Sequence, residues 1–261
     1  GDCKMKDVQN EKDERNIPLE KVGVSGILYP IRVMDKANGF QMTVSTVDIF
    51  VDLPSEFKGT HMSRFIEILH KHRTNMTLSN LENILDDVKD ALKAKVAHII
   101  VSFPYFILKK APVSKNESFM SYQCSFIASK GDKFDFILEV NVPVHLLCPC
   151  SREISDYGAH NQRANVKVRA KMNKLVWIEE IVDIVENSAS APLFALLKRE
   201  DEKFVTESAY NNPKFVEDIA RDVYIALDKN PRITYFEVEA VSFESIHNHN
   251  AYAYIHKDKT L

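Results

Sequence analysis

The chain has 261 residues, 45% of them hydrophobic, enough for one large core or two small ones at the usual domain size of about 100 to 200 residues. A formal net charge of −3 and a pI near 6.3 argue against a protein that coats nucleic acid, which would carry a basic excess or stripe, but leave small anionic ligands open to a local cluster. No run of about 18 apolar residues is present, and the first fifteen residues, GDCKMKDVQNEKDER, carry nine charges where a signal peptide needs an apolar centre, so the reading is a cytoplasmic protein without a membrane span.

A polar leader over 1–20 is expected to be flexible. After it, VGVSGILYPIRV (22–33) and FQMTVSTVDIFVDL (40–53) are rich in β-branched and aromatic residues and flank the turn sequence DKANG, which predicts a hairpin. Met62, Phe65, Ile66 and Leu69 fall on one helical face within 61–73, and Leu78, Leu81, Ile84, Leu85, Val88 and Leu92 do so in the next segment. Ser79 followed by Glu82 offers that second helix a capping box. Strand-like runs at 97–110 and 118–130 follow, the second closed by Gly131 and Asp132.

The order strand, strand, helix, helix, strand, strand then recurs. Residues 134–147 and 165–173 alternate apolar and polar, the segment after Leu147 reads as a polar loop, and Trp177, Ile178, Ile181, Val182 and Val185 form a helical stripe. LKREDEKFVTE reads as a charged loop, and Phe215, Val216, Ile219, Val223 and Leu227 form another stripe with Asn212 and Pro213 as N-cap and first turn. Residues 233–245 and 251–257 close the chain as strands. The expected class is α+β: two similar units over 21–130 and 131–261, each ββααββ, an antiparallel sheet with helices on one face. Their unpaired sheet edges predict side-by-side assembly into a larger barrel.

Two of the four cysteines, Cys148 and Cys150, stand one residue apart in LLCPCSREISDYGAHNQR, at the end of a predicted strand. A one-residue loop restricts disulfide geometry, so they read either as small core residues or as thiols available to a metal. His160 in a polar loop, Glu202, and His247 with His249 in ESIHNHNAY add imidazole and carboxylate to a mixed donor set that suits several divalent ions without selecting zinc. On an extended segment His247 and His249 would share one side.

CPCSREISDYGAHNQR, together with KREDEKFVTE, NPKFVEDIARD, FESIHNHNAYA and KGTHMSRF, resembles the type IB GTP cyclohydrolase family over residues 20 to 256. The resemblance implies tandem tunnelling-fold (T-fold) units in a homotetramer with sites near subunit interfaces, the second unit carrying the metal site. It implies hydrolysis of GTP to 7,8-dihydroneopterin triphosphate and formate, feeding folate or queuosine. Matched by position, the implied ligands of a divalent Mn, Fe or Zn ion are Cys148, His160, Glu202 and His247, with Cys148 also catalytic. Glu217 falls where the family anchors the guanine edge; read without the family it is a solvated carboxylate off its helix stripe.

His249 is then a candidate acid/base, because imidazole titrates near neutral pH, or else an alternative ligand or a residue supporting the ligands. Arg64 and Arg163 are candidate triphosphate ligands, since guanidinium suits phosphate oxygens. Cys150 is a candidate redox partner that forms a strained disulfide with Cys148 when metal is lost. Two alternatives stay open: a related enzyme ending in a cyclic phosphate, and a purine- or pterin-binding T-fold protein without turnover. A thiol–disulfide redox site is a third, though it leaves His160, Glu202 and His247 without a role.

Overall fold

The structure, a computed structural model, describes residues 9, 11–72 and 80–260. Packing divides the chain into two compact units. One comprises the described residues up to Phe103 with Ser125–Phe136, the other Pro104–Cys124 with Ile137 onward.

In the first unit, β1 (Leu19–Asp35) and β2 (Gly39–Leu53) form the expected hairpin. Its turn is set by Asp35, whose carboxylate accepts the amide hydrogens of Ala37 and Asn38 at 2.9 and 2.8 Å, and by Gly39 at φ +80°. β1 starts at Leu19, inside the sequence assigned to the leader. α1 (Met62–Lys71) and α2 (Leu81–Leu92) bury Phe65, Leu69, Ile84, Leu85 and Val88 of the expected stripes, whereas Met62 and Ile66 are exposed and Leu78 lies outside the described residues. Ser79 of the expected capping box lies outside the described residues, and the N-cap Asn80 makes no side-chain cap bond. The first part of β3 (Ala97–Lys110) pairs antiparallel with β2, β4 (Glu117–Lys130) follows it in the chain, and both strands contribute residues to each unit.

In the second unit, β5 (Phe134–Leu147), β6 (Asn161–Met172), β8 (Ile233–Ser242) and β9 (Ala251–Asp258) form successive antiparallel pairs, with the two-residue β7 (Ala191–Pro192) on β5. The alternating residues Val140, Val142, Val144 and Leu146 of β5 and Val166 and Val168 of β6 are buried, as are Ile181 and Val185 of α4 (Ile178–Ser188) and Ile219 and Val223 of α6 (Val216–Asp228). Fully burying each such side chain stabilises the fold by roughly 1.5–3 kcal/mol.

Two segments expected to be loops are helices: α3 (Pro149–Ile154) and α5 (Arg199–Asn211). α5 escapes a periodicity reading because only Asp201 and Ala209 of its residues are buried. Its start is held by polar bonds. The fully buried Asp201 carboxylate accepts the amide hydrogens of Val113, Ser114 and Lys198 and the Ser114 hydroxyl at 2.6–2.9 Å. Other boundaries shift as well. β6 begins at Asn161, four residues before the expected start at 165. Trp177 and Phe215, expected within helical stripes, are N-caps, their amides bonded to the carboxylates of Glu180 and Asp218. Asn212 does not cap α6; it ends α5 and donates its amide to the Ala189 carbonyl at 2.8 Å.

Burial alone would raise the Asp201 pKa, but the Ser114 hydroxyl and the converging amide hydrogens hold it well below the usual carboxylate range. A depressed folded-state value gives stability that is complete above the unfolded pKa of about 3.9 and is lost as pH falls through the folded value. Asp201→Asn is therefore expected to lower Tm by several degrees at neutral pH, with the gap to wild type narrowing below about pH 4 in thermal melts.

Candidate active site

The β5–β6 ladder runs from Leu138↔Ala170 to Leu147↔Asn161 and continues one step further, where the Cys148 amide donates to the His160 carbonyl at 3.1 Å. The intervening residues form a short connection that starts with α3. Cys148 is its N-cap, and its sulfur accepts the Ser151 amide hydrogen at 3.5 Å. Ser151 also ties the two ends together: its hydroxyl donates to the Cys148 carbonyl at 3.3 Å and accepts the His160 amide at 3.1 Å. The two residues that the sequence separates by twelve positions thus share one backbone corner.

Two further chain segments meet this corner. The Lys214 amide donates to the Leu147 carbonyl at 3.0 Å, which brings the first turn of α6, with Glu217, beside Cys148. β8 ends at Ser242, paired with Ala164 on one side and Ala251 on the other, so the connection 243–250 crosses the same end of the sheet. That connection is a series of bends, not the extended segment expected, yet the His247 and His249 rings lie together, stacked at 5.0 Å and 14°. His160 Nδ1 is 3.0 Å from Gln162 Oε1, and Gln162 Nε2 reaches Ser242 Oγ and Glu244 Oε1 at 3.2 and 3.3 Å.

A cleft of about 260 Å³ opens there, and Cys148, His160, Glu217, His247 and His249 all line it. So do Gln162, Glu244 and Lys214, which sequence reasoning passed over. Lys214 forms an ion pair with Asp222 and, among the described residues, is the one lysine or arginine lining the cleft. The signal for Gln162 was strand parity: it falls on the buried-face register of Ala164 and Val166, two residues after His160.

Other expected site residues stand elsewhere. Glu202 is on the exposed side of α5, outside the cleft lining, and Cys150 is an exposed free thiol on α3. Arg163 is exposed on the opposite register of β6 from Gln162. Arg64 belongs to the first unit, where its guanidinium donates to the Ala91 carbonyl at 2.7 Å and lines a separate pocket of about 330 Å³ with Thr60, His61 and Lys93. Among the described residues, no three His, Cys, Asp or Glu side chains are grouped closely enough to hold a metal ion. Cys148, His160 and His247 share a cleft without converging on a point.

A sequence profile described as type I GTP cyclohydrolase folE2 matches residues 5–253. The chain is 59% identical to a GTP cyclohydrolase FolE2 of Kosmotoga olearia over 98% of its own length and 100% of the relative's. It is 55% identical to that of Geobacter sulfurreducens over 98% and 99% of the two chains. Among solved structures, a highly active mutant of Bacillus sp. TB-90 urate oxidase superposes with a TM-score of 0.57 at 10% identity, covering 92% of this chain and all of the other. Uricase from Arthrobacter globiformis does so at 0.53 and 7%, covering 92% and 93%. At such identities the likeness concerns the fold, which is the tunnelling fold.

The three described thiols differ in exposure, and burial pushes the Cys124 thiol up far above the ordinary thiol range. Alkylation of the native protein mapped by mass spectrometry is expected to label Cys150 before Cys148, and Cys124 only after unfolding.

Proposed function

The chain belongs to the type I GTP cyclohydrolase FolE2 family, and from that premise we propose that it hydrolyses GTP to 7,8-dihydroneopterin triphosphate and formate, the entry step of tetrahydrofolate synthesis. The observation that carries this reading at the level of residues is the cleft at the end of the second unit's sheet. Its lining gathers a thiol, three imidazoles, two of them stacked on each other, and a carboxylate on a helix start.

The donor chemistry fits a divalent metal. Sulfur from Cys148 and nitrogen from His160 and His247 suit Mn, Fe or Zn, and all three side chains line the same cleft. Support for Glu202 as fourth ligand is its match to the family pattern. A divalent ion held by these residues would supply Lewis acidity, lowering the pKa of an attacking water towards about 7.

The chain's own groups carry the rest. Glu217, exposed on the first turn of α6, accepts the N1 and N2 hydrogens of guanine, which orients the imidazole ring of GTP towards Cys148 and His160. Water adds at C8 and the C8–N9 bond opens; a second hydrolysis releases C8 as formate, and the opened ribose closes onto the pyrimidine. His249, stacked on His247, gives and takes protons in those later steps.

Arg64 and Arg163 stand outside this cleft, so as triphosphate ligands they serve the cleft of a neighbouring chain in the homotetramer. The exposure of Leu28 (72%), Met42 (69%) and Val44 (57%) on the first unit's hairpin supports self-association. No described helix is long and apolar enough to cross a membrane, and we place the enzyme in the cytoplasm.

Metal-stripped protein reloaded separately with manganese, iron or zinc and given GTP is expected to release formate and yield neopterin fluorescence after oxidation. Tight GTP binding with neither product from any metal would overturn the reading in favour of a binder without turnover. Cys148→Ala is expected to lose bound metal and formate release together. Glu217→Ala is expected to keep its metal and lose GTP recognition, read as a KM increase of roughly tenfold or more with metal content unchanged.

A further inference from the structure

The tautomer of His160 is decided several bonds away from its ring. Ser242, 1% exposed at the end of β8, has its hydroxyl 2.7 Å from Glu244 Oε1, and because a carboxylate only accepts, the hydroxyl hydrogen points there. Gln162 Nε2 lies 3.2 Å from that same hydroxyl oxygen and 3.3 Å from Glu244 Oε1, two groups that can receive a hydrogen from it. The reversed amide would set its carbonyl against both of these acceptors. The Gln162 NH2 therefore faces Ser242 and Glu244, and its carbonyl faces His160 Nδ1 at 3.0 Å. A carbonyl cannot donate. His160 consequently carries its hydrogen on Nδ1 and turns the lone pair of Nε2 away from Gln162. The backbone fixes the ring's base from both sides, through the His160 amide to Ser151 Oγ and the Cys148 amide to the His160 carbonyl, each 3.1 Å.

We propose that Gln162, oriented by Ser242 and Glu244, is a positioning residue that locks His160 in its Nδ1–H tautomer, so that Nε2 is a standing electron-pair donor to the cleft. The consequence for metal affinity rests on the metal-binding reading above; the tautomer does not. The same chain explains why Glu244 faces the cleft without being one of the expected ligands. Its Oε1 is the acceptor that sets the direction of every hydrogen bond between β8 and His160, and removing it frees the Gln162 amide to turn over. Such outer partners typically change metal affinity or activity by about 10–100-fold when lost.

The test begins on the metal-free protein with isotope-labelled histidine, by nitrogen–proton multiple-bond correlation at about pH 8.5, above the ordinary imidazole range. His160 is expected as Nδ1–H in wild type and as a mixed or reversed tautomer in Gln162→Leu. Cobalt(II) affinity, read from ligand-field absorption, is expected to fall roughly 10–100-fold in that variant. Gln162→Glu alone places two carboxylates face to face and is expected to weaken cobalt binding, whereas combining it with Glu244→Gln restores an acceptor towards Nδ1 and a donor behind it.

That pair is expected to return to within a few-fold of wild type. An Nε2–H tautomer in wild type, or an unchanged Nδ1–H tautomer in Gln162→Leu, overturns the proposal. If Gln162→Leu does not fold, the paired variant decides, and its failure to improve on Gln162→Glu overturns it equally. A wild type that holds Nδ1–H but binds no cobalt would sink the metal reading and leave this assignment standing.

Discussion

The antiparallel register of β5 against β6 is the constraint on which the rest of the site depends. Because Leu147 pairs with Asn161, the next residue on one strand and the preceding residue on the other are Cys148 and His160, and the hydrogen bond between them is one further rung of the ladder. A slip of one residue would exchange the faces of the whole strand, moving Val140, Val142 and Val144 out of the core. The hydrophobic core and the pairing of thiol with imidazole are thus fixed by a single choice of register. The same end of the sheet collects the other contributors for the same reason: Ser242 pairs with Ala164 and with Ala251, and α6 is anchored through Lys214 to Leu147.

The site divides accordingly into a rigid and an exposed part. Cys148 and His160 sit at the end of strands whose inward residues are almost wholly buried, and their backbones are bonded to each other and to Ser151. His247 and His249 stand on an exposed connection, held to one another by ring stacking. A reaction that opens one ring and closes another needs both kinds of support. On the proposed mechanism the bond-breaking centre gains from preorganisation at strand ends, and proton exchange is assigned to His249 on the exposed connection.

Much of the fold was legible because its burial is periodic. The long strands alternate, and α1, α2, α4 and α6 carry apolar stripes that set their positions to within a few residues. α5 was not, since what holds it is one buried carboxylate bonded to a turn some ninety residues earlier in the chain, and such a partner leaves no local pattern. The six-residue α3 is too short to show a period. At the site, Cys148, His160, Glu217 and His247 could be named from the family resemblance, and the structure brings these four to one cleft. Gln162, Ser242 and Glu244 were not named, because their importance comes from register between distant strands; a glutamine or serine on an alternating strand otherwise reads as surface.

Strand parity also separates two residues that the motif HNQR places side by side. Gln162 lies on the register of Ala164, Val166 and Val168 and faces the cleft; Arg163 lies on the register of Lys167 and Arg169, whose side chains pair with Glu239 and Glu139 across the sheet. One residue of displacement along a strand is a change of sheet face. On the proposed reading, in which Glu217 holds the base, Lys214 is the cation lining the same cleft, while Arg163 belongs to a charged sheet face outside that lining. On that reading the neighbours Gln162 and Arg163 face different surroundings, Gln162 the cleft of its own chain and Arg163 the sheet face outside it.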